Sequence, residues 1–316
     1  MSDAMNVFDR RLVRCHRDRA AARLEAHDFL FRETAERLAD RLDDVTRMFP
    51  VALDLGCRGG GMAAVLGGRG GIETLVQCEL SPAMARRAAT ARSRAGPEPR
   101  TPRVLTVCAD EEFLPFQPHA FDLVVSNLSV HWVNDLPGCF LQVHRVLKPD
   151  GLLLAAMLGG QTLNELRASL LAGELAETGG ASPRVSPFAD LRDAGALLQR
   201  AGFALPVIDS DLLTVTYDDA FHLMRDLRGM GETNAMHGRR RELSRRATLF
   251  AAAAHYRDRW VEPDGRLPAT FQIIYMTAWS PDSSQQRPLR PGSAQLRLAD
   301  ALDSPELPAG EKARSS

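Results

Sequence analysis

The feature that most restricts the fold is an alternation, in the first half of the chain, between short apolar runs and longer amphipathic ones. Val51 to Leu55, Glu73 to Cys78, Arg103 to Cys108, Phe121 to Ser126 and Gly151 to Met157 have strand length and are expected to be β-strands. Pro82 to Arg94 and Asp135 to Leu147 read as helices between them. The second is closed by Lys148-Pro149-Asp150-Gly151, since proline cannot continue a helix and glycine accepts the turn. Strands alternating with helices need crossover connections, which are right-handed and lay helices on both faces of a parallel sheet. A doubly wound α/β fold follows.

The flanking segments extend that sheet. Upstream, Glu25 to Arg47 places Leu30, Phe31, Ala35, Leu38 and Leu42 near helical spacing before a stop at Pro50, which predicts an edge or lid helix. Downstream, the pattern predicts a helix from Thr162 to Glu177, a Gly/Pro/Ser loop from Gly179 to Pro187, a helix from Asp190 to Ala201 and a strand region from Phe203 to Tyr217. Asp218 to Arg259 is mainly helical and interrupts the pattern before a last apolar segment, Ala269 to Ser280. It is expected as an insert, before the last of seven strands, over the ligand-binding edge. From Pro281 onward five prolines and many serines and charges leave little to pack, so a loose tail is expected. The expected partition is an N-terminal helical segment 1–48, a ligand-binding core 49–160, its continuation with the insert 161–280, and the tail 281–316. There is no internal repeat.

Composition narrows the function classes. With 316 residues, 45% of them hydrophobic, the chain can bury at least one large core. The 39 Lys and Arg against 40 Asp and Glu leave a formal charge of -1, so there is no global basic field to hold a nucleic-acid backbone. The five cysteines, Cys15, Cys57, Cys78, Cys108 and Cys139, are scattered and never form C-x-x-C, which argues against a disulfide framework and a cysteine zinc site. No apolar stretch reaches the roughly 20 residues needed to cross a bilayer. The first 25 residues carry six arginines but also Asp3, Asp9, Asp18 and Glu25, unlike presequences that avoid acids, so a bacterial cytoplasmic location is expected.

Chemistry concentrates at strand ends. Val51-Ala-Leu-Asp54-Leu-Gly56-Cys-Arg58-Gly59-Gly60-Gly61 is a strand running into a glycine-rich turn, where missing side chains let backbone approach a ligand and a helix N-terminus offers unpaired N–H groups. A tight strand-to-helix turn with no ligand is the alternative reading. The second strand ends at Glu79, 25 positions past Asp54, where a carboxylate can accept both hydroxyls of a ribose. The third ends at Ala109-Asp110-Glu111, an acid placed to accept from an adenine amine, or else to form a turn. A glycine turn and two acids at three successive strand ends point to one crevice beyond the carboxyl edge of the sheet.

That arrangement resembles class I S-adenosylmethionine-dependent methyltransferases, through Phe121-Asp-Leu-Val-Val-Ser-Asn127 and Arg145-Val-Leu-Lys-Pro-Asp-Gly151 as well as the glycine turn. The resemblance implies a seven-stranded Rossmann-like sheet and S-adenosyl-L-methionine as cofactor. It also implies that Asp54 anchors the turn and the methionyl end, and that Asn127 lies under the sulfonium. The family pattern has glycine where Arg58 stands; arginine there could pair with the cofactor carboxylate or crowd the approach.

A more specific similarity spans nearly the whole chain. Asn6-Val-Phe-Asp-Arg10, His131-Trp-Val-Asn-Asp-Leu-Pro137, Gly159 to Arg167, Ser182 to Phe188, Gly229-Met-Gly-Glu-Thr-Asn234 and Pro268 to Tyr275 resemble the complex I assembly family with a methyltransferase fold. The resemblance implies an arginine hydroxylase acting on an iron-sulfur subunit of NADH:quinone oxidoreductase, in the mitochondrial matrix or its bacterial counterpart. The His-Trp and Leu-Pro elements are shared with the malonyl carrier-protein carboxyl methyltransferases, which leaves methyl transfer to a small molecule or carrier-bound acid as one alternative and a non-catalytic assembly chaperone as another.

For catalysis, His131 just past the fourth strand is the expected base, with a packing histidine beside Trp132 as the bland alternative. Glu232 and Asn234 on a glycine-rich loop could accept the donors of a guanidinium or equally form a solvent-facing helix connection; Trp132, Asn234 and Tyr275 are the candidate substrate contacts, with half-buried core as the first reading of Tyr275. Hydroxylation needs an oxygen source that S-adenosylmethionine does not supply. His16-Arg17-Asp18 is the one H-x-D candidate for iron, but residues two apart diverge on a helix, so it is expected as solvated surface and no metal site is assigned. The run Arg239-Arg240-Arg241 with Arg245 and Arg246 is expected on a helix face, solvated or docking an acidic partner, and Met224, Met230 and Met236 as adaptable packing.

Overall fold

A computed structural model describes residues 6–95, 102–286, 292–293 and 296–305. The chain divides into two units, Met1–Asp282 and Ser283–Ser316. In the second, a single helical turn is described, Leu298–Ala301; half of the expected loose tail lies outside the described residues.

The first unit begins with α1 (Arg10–Ala20) and α2 (Phe29–Asp43), then runs β1 (Val51–Leu55), α3 (Gly61–Leu66), β2 (Thr74–Glu79), α4 (Pro82–Ala95), β3 (Arg103–Cys108) and β4 (Phe121–Asn127). It continues with α5 (Leu136–Val146), β5 (Leu147–Leu158), α6 (Asn164–Thr178), α7 (Leu191–Arg200), β6 (Ala204–Tyr217), α8 (Ala220–Met230), α9 (Arg246–Trp260) and β7 (Leu267–Trp279). One seven-stranded sheet has the order β3-β2-β1-β4-β5-β7-β6. β1 to β5 pair in parallel, and β7 runs antiparallel to both of its neighbours.

Alternation along the strands builds two cores. Ala52, Leu123, Val125, Leu152 and Leu154 face the side covered by Leu30, Leu38 and Leu42 of α2. Leu53, Leu55, Val124, Leu153 and Ala155 face the side covered by Phe140, Val143 and Val146 of α5. With both faces covered, the central strands carry apolar side chains on both sides, as a buried parallel sheet requires, and their polar residues, Asp54 in β1 and Asp122, Ser126 and Asn127 in β4, stand out against that run. Helix starts follow local chemistry: the Asp9 side chain accepts from Leu12 N–H, Asp135 from Gly138 N–H and Asp219 from His222 N–H.

The insert between β6 and β7 departs from a continuous helical reading. Gly231, at φ 80°, ends α8, and no helix resumes until Arg246. The backbone between them bonds the N-terminal segment instead: Asp9 N–H donates to Ala235 O and His237 N–H to Val7 O. The run Arg239 to Arg241 therefore lies on a loop, where Arg239 pairs with Asp9 and Arg240 with Glu174 and Glu242.

Candidate functional site

The carboxyl ends of β1, β2, β3 and β4 converge, as open α/β sheets place their ligand crevices. After β1, Gly56 (φ 75°) and Gly60 (φ 83°) take left-handed conformations; a β-carbon on Gly56 would stand 2.0 Å from Ser129 Oγ. The following α3 has only six residues, too short to act as the expected helix N-terminus. The glycine turn itself bounds a cavity of about 210 Å³, lined by Asp54, Gly56, Arg58, Gly60, Phe31 and Asn127 among others.

Asp54 is fully buried, and neither carboxylate oxygen has a hydrogen-bond partner. Burial pushes its carboxyl up to about 7, with the Gln77 amide tempering the rise and Glu79 adding to it. Asn127 donates from Nδ2 to Phe31 O at 2.7 Å while its Oδ1 is unpartnered. Orphaned acceptors beside a glycine turn are what a ligand with donors would satisfy.

Glu79, also fully buried, accepts from Arg58 N–H at 2.8 Å and Ser81 N–H at 2.9 Å. Its third donor comes from α1. Arg17, 0% exposed, directs Nη1 to Glu79 Oε1 at 3.0 Å and to Glu111 Oε1 at 2.9 Å, and Nη2 to Ser129 Oγ at 2.9 Å. Arg10, two turns earlier on the same face of the helix, bonds Asp110 and Glu111 and reaches Trp132 O at 3.2 Å. Burial disfavours the Glu111 charge, but Arg17 and Arg10 outweigh it and hold the carboxyl far below its ordinary value.

The expectation of a solvated His16-Arg17-Asp18 is thus corrected. Arg17 is the centre of the acid cluster, Asp18 accepts from Ser81 Oγ at 2.6 Å and from Ala83 N–H, and His16 bonds Thr233. Arg10, Arg17 and Ser129 are the partners of the acid cluster to which motif reasoning gave no place in the site. A usable signal existed: Val13, Arg17 and Ala20, at spacings of four and three, form the buried stripe of α1, so Arg17 sits on the apolar face.

Arg58 adopts φ 50° and is 4% exposed. Its guanidinium turns toward the insert, donating to Leu128 O at 2.7 Å, pairing with Glu232 and standing 4.4 Å from the centre of the Phe31 ring. Glu232 also accepts from Trp132 Nε1 at 2.8 Å and lies 3.0 Å from His131 Nε2. Burial opposes its charge, but Arg58 and His131 bring the carboxyl down to about 2. So the acid expected to take a guanidinium does take one, that of the chain's own Arg58.

A second cavity of about 150 Å³ lies on the insert side, with apolar walls from Trp132, Leu227, Met230 and Phe271 and polar groups from Glu232 and Asn234. Asn234 is partly engaged, donating to Pro183 O and accepting from Met236 N–H. Tyr275 is elsewhere: 1% exposed in the core of β7 with Arg41 stacked 3.8 Å over its ring, it lines neither cavity. Met224 and Met230 pack against the second cavity as expected.

Comparison with known proteins follows the same lines. A family profile described as a methyltransferase domain matches residues 53–155. The chain is 45% identical over 298 residues to arginine-hydroxylase NDUFAF5, mitochondrial, of Danio rerio, covering 94% of this chain and 89% of that protein. It is 39% identical over 277 residues to malonyl-[acyl-carrier protein] O-methyltransferase of Methylovorus sp. (strain MP688), covering 88% of this chain and 91% of that one. Its fold is similar to that of Haemonchus contortus phosphoethanolamine N-methyltransferase 2 in complex with S-adenosyl-L-methionine, at TM-score 0.52 and 16% identity, covering 83% of this chain and 57% of that one. Among the described residues no helix is long and apolar enough to cross a membrane.

Proposed function

The chain belongs to the arginine-hydroxylase NDUFAF5 family, and on that premise we propose that it binds S-adenosyl-L-methionine at the strand tips and modifies an arginine side chain of a protein substrate, by hydroxylation as the relatives' name states. The observation that carries the reading is the meeting of the glycine turn, unpartnered Asp54 and the Glu79 and Asp110 carboxylates at three adjacent strand ends. The substrate protein, by the resemblance of the later motifs, is an iron-sulfur subunit of NADH:quinone oxidoreductase. The site of action is the bacterial cytoplasm, or the mitochondrial matrix for a processed eukaryotic chain.

The residues fit the cofactor's two halves differently. The 210 Å³ cavity, with Asp54 and Asn127 offering free acceptors and Gly56 and Gly60 offering bare backbone, suits the methionyl half. Glu79 and Asp110 have the chemistry for a ribose diol and an adenine amine, but α1 engages both through Arg17 and Arg10. The cofactor therefore requires α1 to release those acids. When bound, its sulfonium would supply an electrophilic methyl group, which serves the methyl-transfer reading; hydroxylation takes its oxygen atom and its two oxidising equivalents from a co-substrate oxidant such as dioxygen with a reductant.

On the substrate side, the 150 Å³ cavity offers apolar walls to the methylene stem of an arginine and ends at Glu232 and Asn234. Arg58 and the Trp132 indole fix the Glu232 carboxylate in place, and His131 stands beside it as the expected base. The 39% identity to malonyl-[acyl-carrier protein] O-methyltransferase favours O-methylation of a carrier-bound acid as the second reading.

Two measurements test the proposal. Calorimetric titration with S-adenosyl-L-methionine should give saturable binding that Glu79→Ala and Asp110→Ala both weaken; unchanged affinity in both overturns the site assignment. Intact-mass analysis of the candidate subunit should show a gain of about 16 Da for oxygen, where a gain of about 14 Da supports methyl transfer instead.

A further inference from the structure

The Arg58–Glu232 ion pair stands between two cavities. Arg58 lines the cavity of the glycine turn and Glu232 lines the one on the insert side; neither lines both. Their side chains are 4% and 5% exposed, and Glu232 is the one ion-pair partner of Arg58 among the described residues. Beyond it, the guanidinium donates to Leu128 O at 2.7 Å and to Met230 O at 3.5 Å, and Phe31, another wall of the glycine-turn cavity, has its ring centre 4.4 Å away. Burial lowers the Arg58 pKa, Arg17 adds to that, and Glu232 and Glu79 oppose it. The cation depends on having an anion beside it.

Glu232 has little left to offer a second cation. Its Oε1 accepts from Arg58, and its Oε2 accepts from Trp132 Nε1 at 2.8 Å and lies 3.0 Å from His131 Nε2, which leaves one of a carboxylate's roughly four acceptor positions. A guanidinium entering the insert-side cavity would meet a charge already neutralised and share an oxygen with another cation. It gains a full ion pair only by displacing Arg58. Displacement alone strands Arg58, and a buried charge stripped of its partner is strongly destabilising. The same holds from the other side, because a carboxylate in the glycine-turn cavity can draw Arg58 away only by leaving Glu232 buried without its counter-charge. With both ligands present, every charge has a partner before and after.

We propose that Arg58 is a positioning residue that trades partners: as it stands it neutralises Glu232, and in the ternary complex the substrate guanidinium takes Glu232 while Arg58 turns to the carboxylate of the cofactor's methionyl half. The trade rests on the proposed function, which supplies both ligands. It makes cofactor and substrate bind cooperatively, and linkage requires the effect to be equal in both directions. It also gives a reason for a long cationic side chain at φ 50°, a backbone conformation that glycine adopts without strain. A neutral side chain of similar shape cannot take Glu232 from Arg58, so the trade selects arginine over its uncharged relatives.

Calorimetry on the full-length protein tests the trade with four probes. S-adenosylhomocysteine carries the carboxylate and methylthioadenosine lacks it; N-acetyl-L-arginine amide carries the guanidinium and N-acetyl-L-citrulline amide is its neutral counterpart. Saturating acetylarginine amide should tighten S-adenosylhomocysteine binding by about tenfold or more, within the usual range of such couplings, and leave methylthioadenosine unmoved. The citrulline probe should move neither. Arg58→Gly suits the local φ and vacates Glu232, so acetylarginine amide alone should bind it about tenfold more tightly than it binds the parent, and the coupling should vanish. The probes on the parent decide the matter even where that variant fails to fold. S-adenosylhomocysteine affinity that ignores acetylarginine amide, or that the citrulline probe raises equally, overturns the trade, as does coupling that persists with methylthioadenosine; each leaves the cofactor assignment standing. No binding of S-adenosylhomocysteine under any of these conditions overturns both.

Discussion

Replacing Arg17 with methionine isolates the element that covers the acid cluster. Methionine keeps an unbranched apolar stem in α1 and removes only the guanidinium, which leaves Glu79 and Glu111 buried, with Arg10 still on Glu111. Removing one partner of a buried ion pair costs about 3–5 kcal/mol. At about 2–4 °C per kcal/mol for chains of this size, the melting temperature should fall by roughly 10 °C. The pH dependence carries a sign. In the parent, the depressed Glu111 carboxyl stabilises the fold above its ordinary value of 4.5 and loses that contribution as pH falls through the folded value. In the variant, Glu111 keeps only Arg10 and takes up a proton more readily, so the gap in melting temperature between parent and variant should narrow as pH falls from 7 toward 4. Affinity for S-adenosylhomocysteine should move the other way. Withdrawal of α1 no longer has to break these contacts, and each 1.4 kcal/mol removed from that cost is tenfold in affinity, so calorimetry well below the variant's melting point should show binding at least roughly tenfold tighter. A variant that melts within about 2 °C of the parent, or binds no more tightly, would falsify the view that α1 and the cofactor compete for the same acids.

The other perturbations probe the turn and the insert. Asp54→Asn should raise stability above pH 7 by up to about 4 kcal/mol, because a carboxyl shifted from 3.8 to about 7 loses stability as pH rises between those values; denaturant midpoints at pH 5 and pH 8 measure it, and an equal effect at both refutes the assignment. Glu232→Gln leaves Arg58 buried without its counter-charge and should cost about 3–5 kcal/mol at pH 7. Since the folded carboxyl sits at about 2, that loss should shrink as pH falls from 4.5 toward 2, and a pH-independent difference in urea midpoint argues against it. Gly56→Ala puts a β-carbon 2.0 Å from Ser129 Oγ at a φ of 75°, so it should lower the melting temperature measurably, by about 1–3 kcal/mol of stability, and a neutral result means the turn is free to shift.

What the sequence made legible was local. Val51–Leu55 is a strand over the expected residues because an apolar run between turn formers has no other way to bury itself, whereas Arg103–Cys108, at the sheet edge with no buried residue, is a strand through its pairing with β2. The acids of Glu79 and Asp110 were found because a strand end fixes their place before any contact is known. Arg17 was not, since a helix written RRLVRCHRDRA looks solvated until its partners are identified, and those lie at Glu79 and Glu111. The same holds for Arg58, whose partner Glu232 is 174 positions away. The non-helical stretch after Gly231 escaped for the same reason, as its backbone is satisfied by residues at the opposite end of the chain.

The position of α1 also sets an order of events in biosynthesis. The ribosome delivers Arg17 first, while Glu79 and Glu111 emerge 62 and 94 residues later, and the insert segment that pairs with Val7 to Asp9 comes after almost every strand. The leading helix must wait, unpaired, until the platform it caps exists. Its docking therefore follows the synthesis of Glu111, and a bulky fusion at the amino end should delay that step more than one at the carboxyl end.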